Sequence, residues 1–162
     1  MSDLSFRKRH RLKSKEVRAL GAVMLERVGV DMLSDEPSVD RARGLDMDYL
    51  LIGGRVAYLV EEEVPFPTLR TLLERGLDIR WVEVDEGAVR FLANGADVMA
   101  PGITAADPGI AEGDWVYVRD SKHKRPLVVG RAVLPGPEMR ASGKGRAVKT
   151  LHYVGDKIWE FE

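Results

Sequence analysis

The chain has 162 residues, 44% of them hydrophobic and 31% charged, with a formal net charge of −1 and no cysteine. That balance fits a soluble globular protein with a real core, as one medium domain or two small ones, and the missing cysteine excludes disulfides, thiolate zinc sites and a cysteine nucleophile. No apolar run approaches the roughly 20 residues of a membrane helix, and the basic N-terminus lacks the apolar stretch of a signal peptide; a cytoplasmic protein away from membranes is expected.

The charge is unevenly spread. Between Arg119 and Lys157 ten Lys and Arg face only Asp120, Glu138 and Asp156, an excess of seven positive charges. The opening is basic too, with Arg7, Lys8, Arg9, Arg11, Lys13 and Lys15 against Asp3, while the middle from Asp31 to Asp114 is acidic. Such asymmetry suits a polyanion footprint on part of a neutral molecule, or a solvated, salt-bridged surface.

In chain order, Phe6 to Leu12 reads as an edge strand or arm that its charges guard against unwanted pairing. Ser14 is placed to cap a helix from Lys15 to about Val28, with Val17, Leu20, Met24 and Val28 on one stripe and Gly29 as the stop. Two β-rich runs, Tyr49–Ile52 and Val56–Val60, flank Gly53-Gly54 and predict a tight hairpin. Their continuous apolar character implies that both faces are covered, one by the first helix. A second helix starts near Pro67 or Thr68, turns Leu69, Leu72 and Leu73 inward and ends at Gly76. Beyond a boundary near Gly76 to Asp78 the pattern changes to short strands: Trp81–Val84, Trp115–Arg119, Leu127–Leu134 around Gly130, then Ala147–Val154 and Lys157–Phe161 about Gly155-Asp156. Strands at this spacing suggest a small closed barrel, with Pro135 to Gly145 as a loop.

The stretch from Asp85 to Ile103 organises the rest. Asp85 is a good N-cap, Val89, Leu92 and Ala93 form a short apolar face, and Asn94-Gly95 is a stop signal. Arg90 and Asn94, four apart, share the wetter edge. A two-turn helix that stops on glycine and drops into the strand Val98-Met99-Ala100 leaves backbone that a nucleotide can approach.

Catalytic chemistry is not legible. Ser142-Gly143-Lys144-Gly145 lacks the upstream glycine and the following Ser or Thr of a phosphate loop. His10, His123 and His152 have no metal-ligand spacing, and Glu61-Glu62-Glu63 has no partner base. No cofactor, metal or catalytic residue is expected.

The stretch Asp85–Ile103, with Gly113-Asp114-Trp115-Val116, Pro126–Gly130 and Leu151–Trp159 after it, resembles the signature of the PUA domain, a small RNA-binding barrel. The half before it resembles the companion domain that precedes PUA in stand-alone archaeal PUA proteins and in the eukaryotic translation factor that partners density-regulated protein. The resemblance implies an α+β N-terminal domain at 1–77 and a PUA pseudobarrel at 78–162. It also implies a non-catalytic protein that binds structured RNA, tRNA or rRNA, in translation initiation or ribosome recycling, its front domain docking on the small ribosomal subunit or a protein partner. The alternative is an accessory RNA-binding subunit of a tRNA or rRNA modification enzyme. Carried over residue by residue, the RNA-binding candidates are Arg90, Asn94, Gly95, Ala96, Asp97, Met99, Lys149 and His152. Arg90 and Lys149 can neutralise phosphate, Gly95 permits close approach, and Asn94 suits a base edge or ribose. Asp97 accepts from a base or ties down the turn; Met99 reads more readily as core than as a stacking surface; His152 is either structural or an RNA contact. Trp115 and Trp159 read as core and closure residues.

Overall fold

The structure is a computed structural model that describes residues 6–161; residues 1–5 and 162, and with them the charge of Asp3, lie outside the described residues. The chain divides into two compact units: residues up to Thr71 together with those from Lys157 onward, and Leu72–Asp156. The division falls between Thr71 and Leu72, ahead of the expected Gly76 to Asp78, and the C-terminal residues join the first unit. No helix among the described residues is long and apolar enough to cross a membrane.

The first unit is an antiparallel meander of five strands in sequence order: β1 (Arg7–Arg11), β2 (Asp40–Arg43), β3 (Asp48–Ile52), β4 (Arg55–Glu61) and β5 (Val64–Pro67). The basic run forms the expected edge strand, β1, exposed along its whole length. Gly53 and Gly54 join β3 to β4 with φ of 61° and 81°, the positive angles that a tight primed turn demands. The same kind of turn joins β4 to β5 without glycine: Glu62 and Glu63 sit at φ of 55° and 62°. Two of the three successive glutamates, Glu62 and Glu63, are therefore in a turn, and Arg41 helps to hold it. Its Nη1 and Nη2 donate to Glu63 at 3.1 and 2.6 Å while its Nε donates to Asp48 at 2.8 Å. The Arg41 hydrogen bonds draw the Glu63 carboxyl below its ordinary range, against the opposing effect of burial.

Helix α1 (Ser14–Arg27) starts one residue earlier than expected, because Lys13 is the N-cap and Glu16 reaches back to accept from the Lys13 amide at 2.8 Å. Val17, Leu20, Met24 and Val28 are buried as their spacing predicts. Each such side chain stabilises by about 1.5–3 kcal/mol. The helix packs against β5. Helix α2 (Leu69–Arg75) begins where expected, with the Thr71 hydroxyl donating to the Ala57 carbonyl at 2.8 Å. Leu69 and Leu72 are buried but Leu73 is 42% exposed, contrary to expectation. The C-terminal segment Lys157–Glu160 is a helical turn rather than a strand. There Arg70 stacks on Trp159, 4.1 Å from the ring centroid, and donates to its carbonyl at 3.2 Å.

The second unit is a six-stranded sheet in the order β7-β11-β10-β9-β6-β8. Its strands are β6 (Trp81–Val84), β7 (Val98–Met99), β8 (Ile103–Ala106), β9 (Trp115–Asp120), β10 (Pro126–Ala132) and β11 (Arg146–Tyr153). All pairs are antiparallel except β6 with β9. β7 and β8 lie at opposite edges yet are joined only by the 3-10 turn Ala100–Gly102. Three residues span at most about 11 Å, so the sheet has to curl until its edges approach: the barrel expected from strand spacing. Its core is dominated by β-branched side chains, among them Val82, Val84, Val116, Val118, Val128 and Val148. Trp115 is buried as expected, with the Arg131 guanidinium 5.3 Å from its ring centroid. Helix α3 (Glu86–Leu92) follows β6, and α4 (Gly136–Ala141) occupies the expected loop, anchored by fully buried Met139.

Gly130 explains the interruption in β10. A Cβ there would lie 2.1 Å from the Lys149 carbonyl oxygen, beside the bulge between Val129 and Gly130. Backbone cannot yield as a flexible side chain can. Gly130→Ala is therefore expected to destabilise by about 1–3 kcal/mol, the range for overpacking, read as a lowered urea midpoint. An unchanged midpoint would mean that the β10–β11 contact has room for a methyl group.

Candidate nucleic-acid interface

Helix α3 is positioned by local chemistry. The Asp85 carboxylate accepts from the Ala88 amide at 3.0 Å, as an N-cap should. Only Leu92 is fully buried in this short helix, at 3% exposure. The turn that ends the helix closes at Gly95, φ 83°, where the Gly95 amide donates to Leu92 O at 3.0 Å and the Ala96 amide to Phe91 O at 3.3 Å. Glycine is needed here twice over, since a Cβ would also lie 2.7 Å from the ring of Tyr153. Tyr153 thus covers one side of the backbone that the sequence left bare.

The structure brings most of the candidates together. Arg90 on α3 and Asn94 in the turn after it are both exposed, with Asn94 Nδ2 donating to the Arg90 carbonyl at 3.4 Å. Ala96 O accepts from the Thr150 hydroxyl at 2.9 Å and Asp97 from the Thr150 amide at 2.9 Å. Asp97 also pairs with Arg146 at 3.1 Å. Of the two readings, Asp97 ties down the turn: it welds the loop after α3 to β11, with its charge met by Arg146. Lys149 is exposed on β11.

Met99 lies differently from expectation, and His152 takes the first of its two readings. Met99 is 51% exposed, not core. β7 has only two residues, and with Val98 turned inward the alternation of a strand sends Met99 out. His152 is buried at 1% exposure, its Nδ1 2.9 Å from the Asp156 carboxylate. Its side chain is structural and does not reach the surface that the other candidates share.

Sequence reasoning missed Phe91. It is 62% exposed and, with Met99, flanks an apolar cleft of about 490 Å³ further lined by Ala88, Ala96, Pro101 and Gly102. The signal was present: Phe91 lies off the stripe of Val89 and Leu92, and a large aromatic on the wet side of a helix asks for a purpose. Arg90 precedes Phe91 on α3 and Lys149 lies on β11, the strand paired with β7; no ion pair is found for either among the described residues. Among the described residues no cluster of His, Cys, Asp and Glu could hold a metal.

The other basic patch, the β9–β10 turn, is more ordered than its composition suggests. Asp120 accepts from the amides of His123 at 2.7 Å and Arg125 at 2.8 Å. Lys124 pairs with Glu83 at 2.7 Å, and Arg119 pairs with the same buried carboxylate at 2.8 Å. Lys122 reaches Glu86 only at 3.7 Å.

A six-stranded curled sheet with one principal helix, a glycine stop and an exposed apolar cleft defines the PUA class of small barrels. The chain belongs to the PUA-domain proteins: the PUA domain family model matches residues 80–154. Over nearly the whole chain it is similar to the uncharacterized protein MJ1432 of Methanocaldococcus jannaschii, 41% identical across 98% of this chain and 99% of that one. It resembles the solved structure of protein PH0734.1 of Pyrococcus horikoshii, with 37% identity, a TM-score of 0.83 and coverage of 94% of this chain and 98% of that one. A PUA domain protein of Thermoplasma acidophilum follows, at 30% identity and a TM-score of 0.77 over 96% of this chain and 100% of its own. Translation machinery-associated protein 20 of Saccharomyces cerevisiae is 27% identical across 68% of this chain, which spans 64% of that protein's length.

Asp120 makes the turn testable. Burial alone would raise its carboxyl, but the amide N–H groups of His123 and Arg125 outweigh it and hold it below its ordinary 3.8. A carboxyl lowered by folding stabilises fully above its unfolded value and loses that contribution as pH falls through the folded value. Asp120→Asn is expected to cost about 1–3 kcal/mol near neutral pH and to flatten part of the decline in stability below about pH 4. Urea melts across that range check it; an acid limb identical to the parent's would refute the assignment.

Proposed function

We propose that this is a non-catalytic RNA-binding protein, cytoplasmic, that binds structured RNA, tRNA or rRNA, through the groove between α3 and β11 and acts in translation at the small ribosomal subunit. The observation that carries the reading is the pairing of exposed Phe91 and Met99 with uncommitted Arg90 and Lys149 around a glycine stop. A polyanion with exposed bases needs both components: cations for phosphate, and an apolar face for a base that leaves its stack. Arg90 and Lys149 take the phosphates, Gly95 and Ala96 offer close backbone, Asn94 has donors and an acceptor for a base edge, and Phe91 with Met99 serves as the platform. Asp97 acts through the turn. The first unit is the pre-PUA domain, the part that docks on the ribosome or on a protein partner. The translation assignment draws on the similarity to translation machinery-associated protein 20.

Binding should weaken steeply with salt, and each lost phosphate contact should lower the slope by about one. Arg90→Ala with Lys149→Ala is expected to weaken RNA binding about tenfold or more, and more than alanine at Lys122, Lys124 and Arg125 together. Lys124 is engaged by Glu83, so freeing it for phosphate would leave a buried carboxylate short of a partner. Phe91→Ala is expected to cost about 1–3 kcal/mol, the range for a stacked base. The measurement is a set of binding isotherms with a tRNA at fixed salt, with circular dichroism as folding control. A larger loss from the turn variant, or equal affinity for duplex DNA, would overturn the groove assignment. Association with 30S subunits supports translation; association with a modification enzyme in their place would make the protein an accessory RNA-binding subunit instead.

A further inference from the structure

We propose that the first unit holds a docking site for an acidic peptide segment with aliphatic side chains, in the cleft between α1 and strands β1–β3. This site is independent of the RNA groove. Helix α1 packs against β5, at the far edge of the sheet from β1. The registers His10↔Arg41, Arg41↔Leu50 and Arg43↔Asp48 put His10, Arg41, Arg43 and Asp48 on one sheet face. With α1 as its wall, this face forms an open cleft of about 520 Å³.

The charges of the cleft are unequal in what they have left to give. Its three carboxylates are all engaged: Glu16 accepts from the Lys13 amide at 2.8 Å, Asp48 from Arg41 at 2.8 Å, and Glu63 from Arg41 at 2.6 Å. Arg41 is engaged by the same contacts. Among the described residues Lys8 makes no ion pair, and Arg43 comes no nearer than 3.9 Å to Asp48. His10 donates its Nδ1–H to the Lys8 carbonyl at 2.9 Å, which leaves Nε2 free for a further partner. Equal numbers of acids and cationic Lys and Arg line the cleft, yet the unsatisfied groups are the basic ones, and the ligand they fit is an anion.

The wall decides which anion. Leu12, Ala19, Leu20 and Val23 present aliphatic carbon, and no Phe, Tyr or Trp lines the cleft. A nucleic acid would find cations but no surface on which to stack a base. A peptide that sets Leu, Ile or Val against α1 and Asp or Glu toward Lys8 and Arg43 meets both halves, in the groove mode of peptide recognition. Its carboxylates would form charge-assisted hydrogen bonds with groups that now face water.

The test uses the whole chain, labelled with ¹⁵N, and a capped peptide of about eight residues, glutamates with two leucines three apart. Shift changes at His10, Ala19 and Arg43 are expected to saturate. Replacing the leucines by serine should weaken binding about fivefold or more, and replacing the glutamates by lysine should abolish it. Lys8→Ala with Arg43→Ala should weaken it about tenfold with the thermal midpoint and RNA binding unchanged. Val23→Glu, which puts a carboxylate on the apolar wall, is a second variant and should exclude the acidic peptide. The proposal falls if no saturable shifts appear at these residues, if the lysine peptide binds as well, or if single-stranded RNA displaces the acidic peptide from them.

Discussion

The second unit depends on one covalent constraint: the strands at its two edges are consecutive in sequence and separated by Ala100-Pro101-Gly102 alone. A link of that reach forces the sheet to close on itself, and closure leaves a seam where the edges meet without a continuous ladder. Three segments are stitched there by backbone hydrogen bonds. The Ala100 amide donates to Gly145 O at 2.8 Å, and the Asp85 amide to Gly102 O at 3.0 Å. The seam therefore joins the start of α3, the 3-10 turn and the loop before β11. The cleft flanked by Phe91 and Met99 opens on this line, because a two-residue strand cannot bury both of its faces. The candidate site is a consequence of how the barrel shuts.

What was legible in the sequence was local. Asp85, the stripe of Val89 and Leu92, and Asn94-Gly95 are a cap, a face and a stop within eleven positions, and no distant residue is needed to read them. Gly53-Gly54 is likewise a complete instruction, since it alone fixes the turn and so the register of the strands on either side. Met99 was misread because parity in a strand of two residues is set by the partner: β11 places Arg146 opposite it and fixes which side faces in. α4 was misread because Met139 is its one buried large side chain, which gives no period to detect. The turn at Glu62-Glu63 was not legible because nothing local favours positive φ at two glutamates. The guanidinium that stabilises the turn comes from a strand some twenty residues earlier.

Counting charges was a poor guide to where charge is available. The basic excess between Arg119 and Lys157 includes Arg119 and Lys124, both held by Glu83, and Arg146, held by Asp97. These pairs fix elements: Glu83 links β6 to β9 and its turn, and Asp97 links the α3 stop to β11. The first unit shows the converse. Around its cleft the carboxylates are the groups engaged, so a neutral lining presents cations. Partner preference follows from which charges remain after the fold has taken its share.

Gly95 shows why groove residues on distant stretches of chain can act as one surface. Its positive φ ends α3, and its missing Cβ admits the ring of Tyr153 from β11. Ala96 and Asp97, the next two residues, hold Thr150 of the same strand. The end of the helix and the late strand are thus clamped at three successive residues, through one packing contact and two hydrogen-bonded ones. Arg90 and Lys149 sit a few residues from that clamp, on regular structure. Their spacing is set before any ligand arrives, so less conformational entropy opposes their joint contact with a phosphate chain.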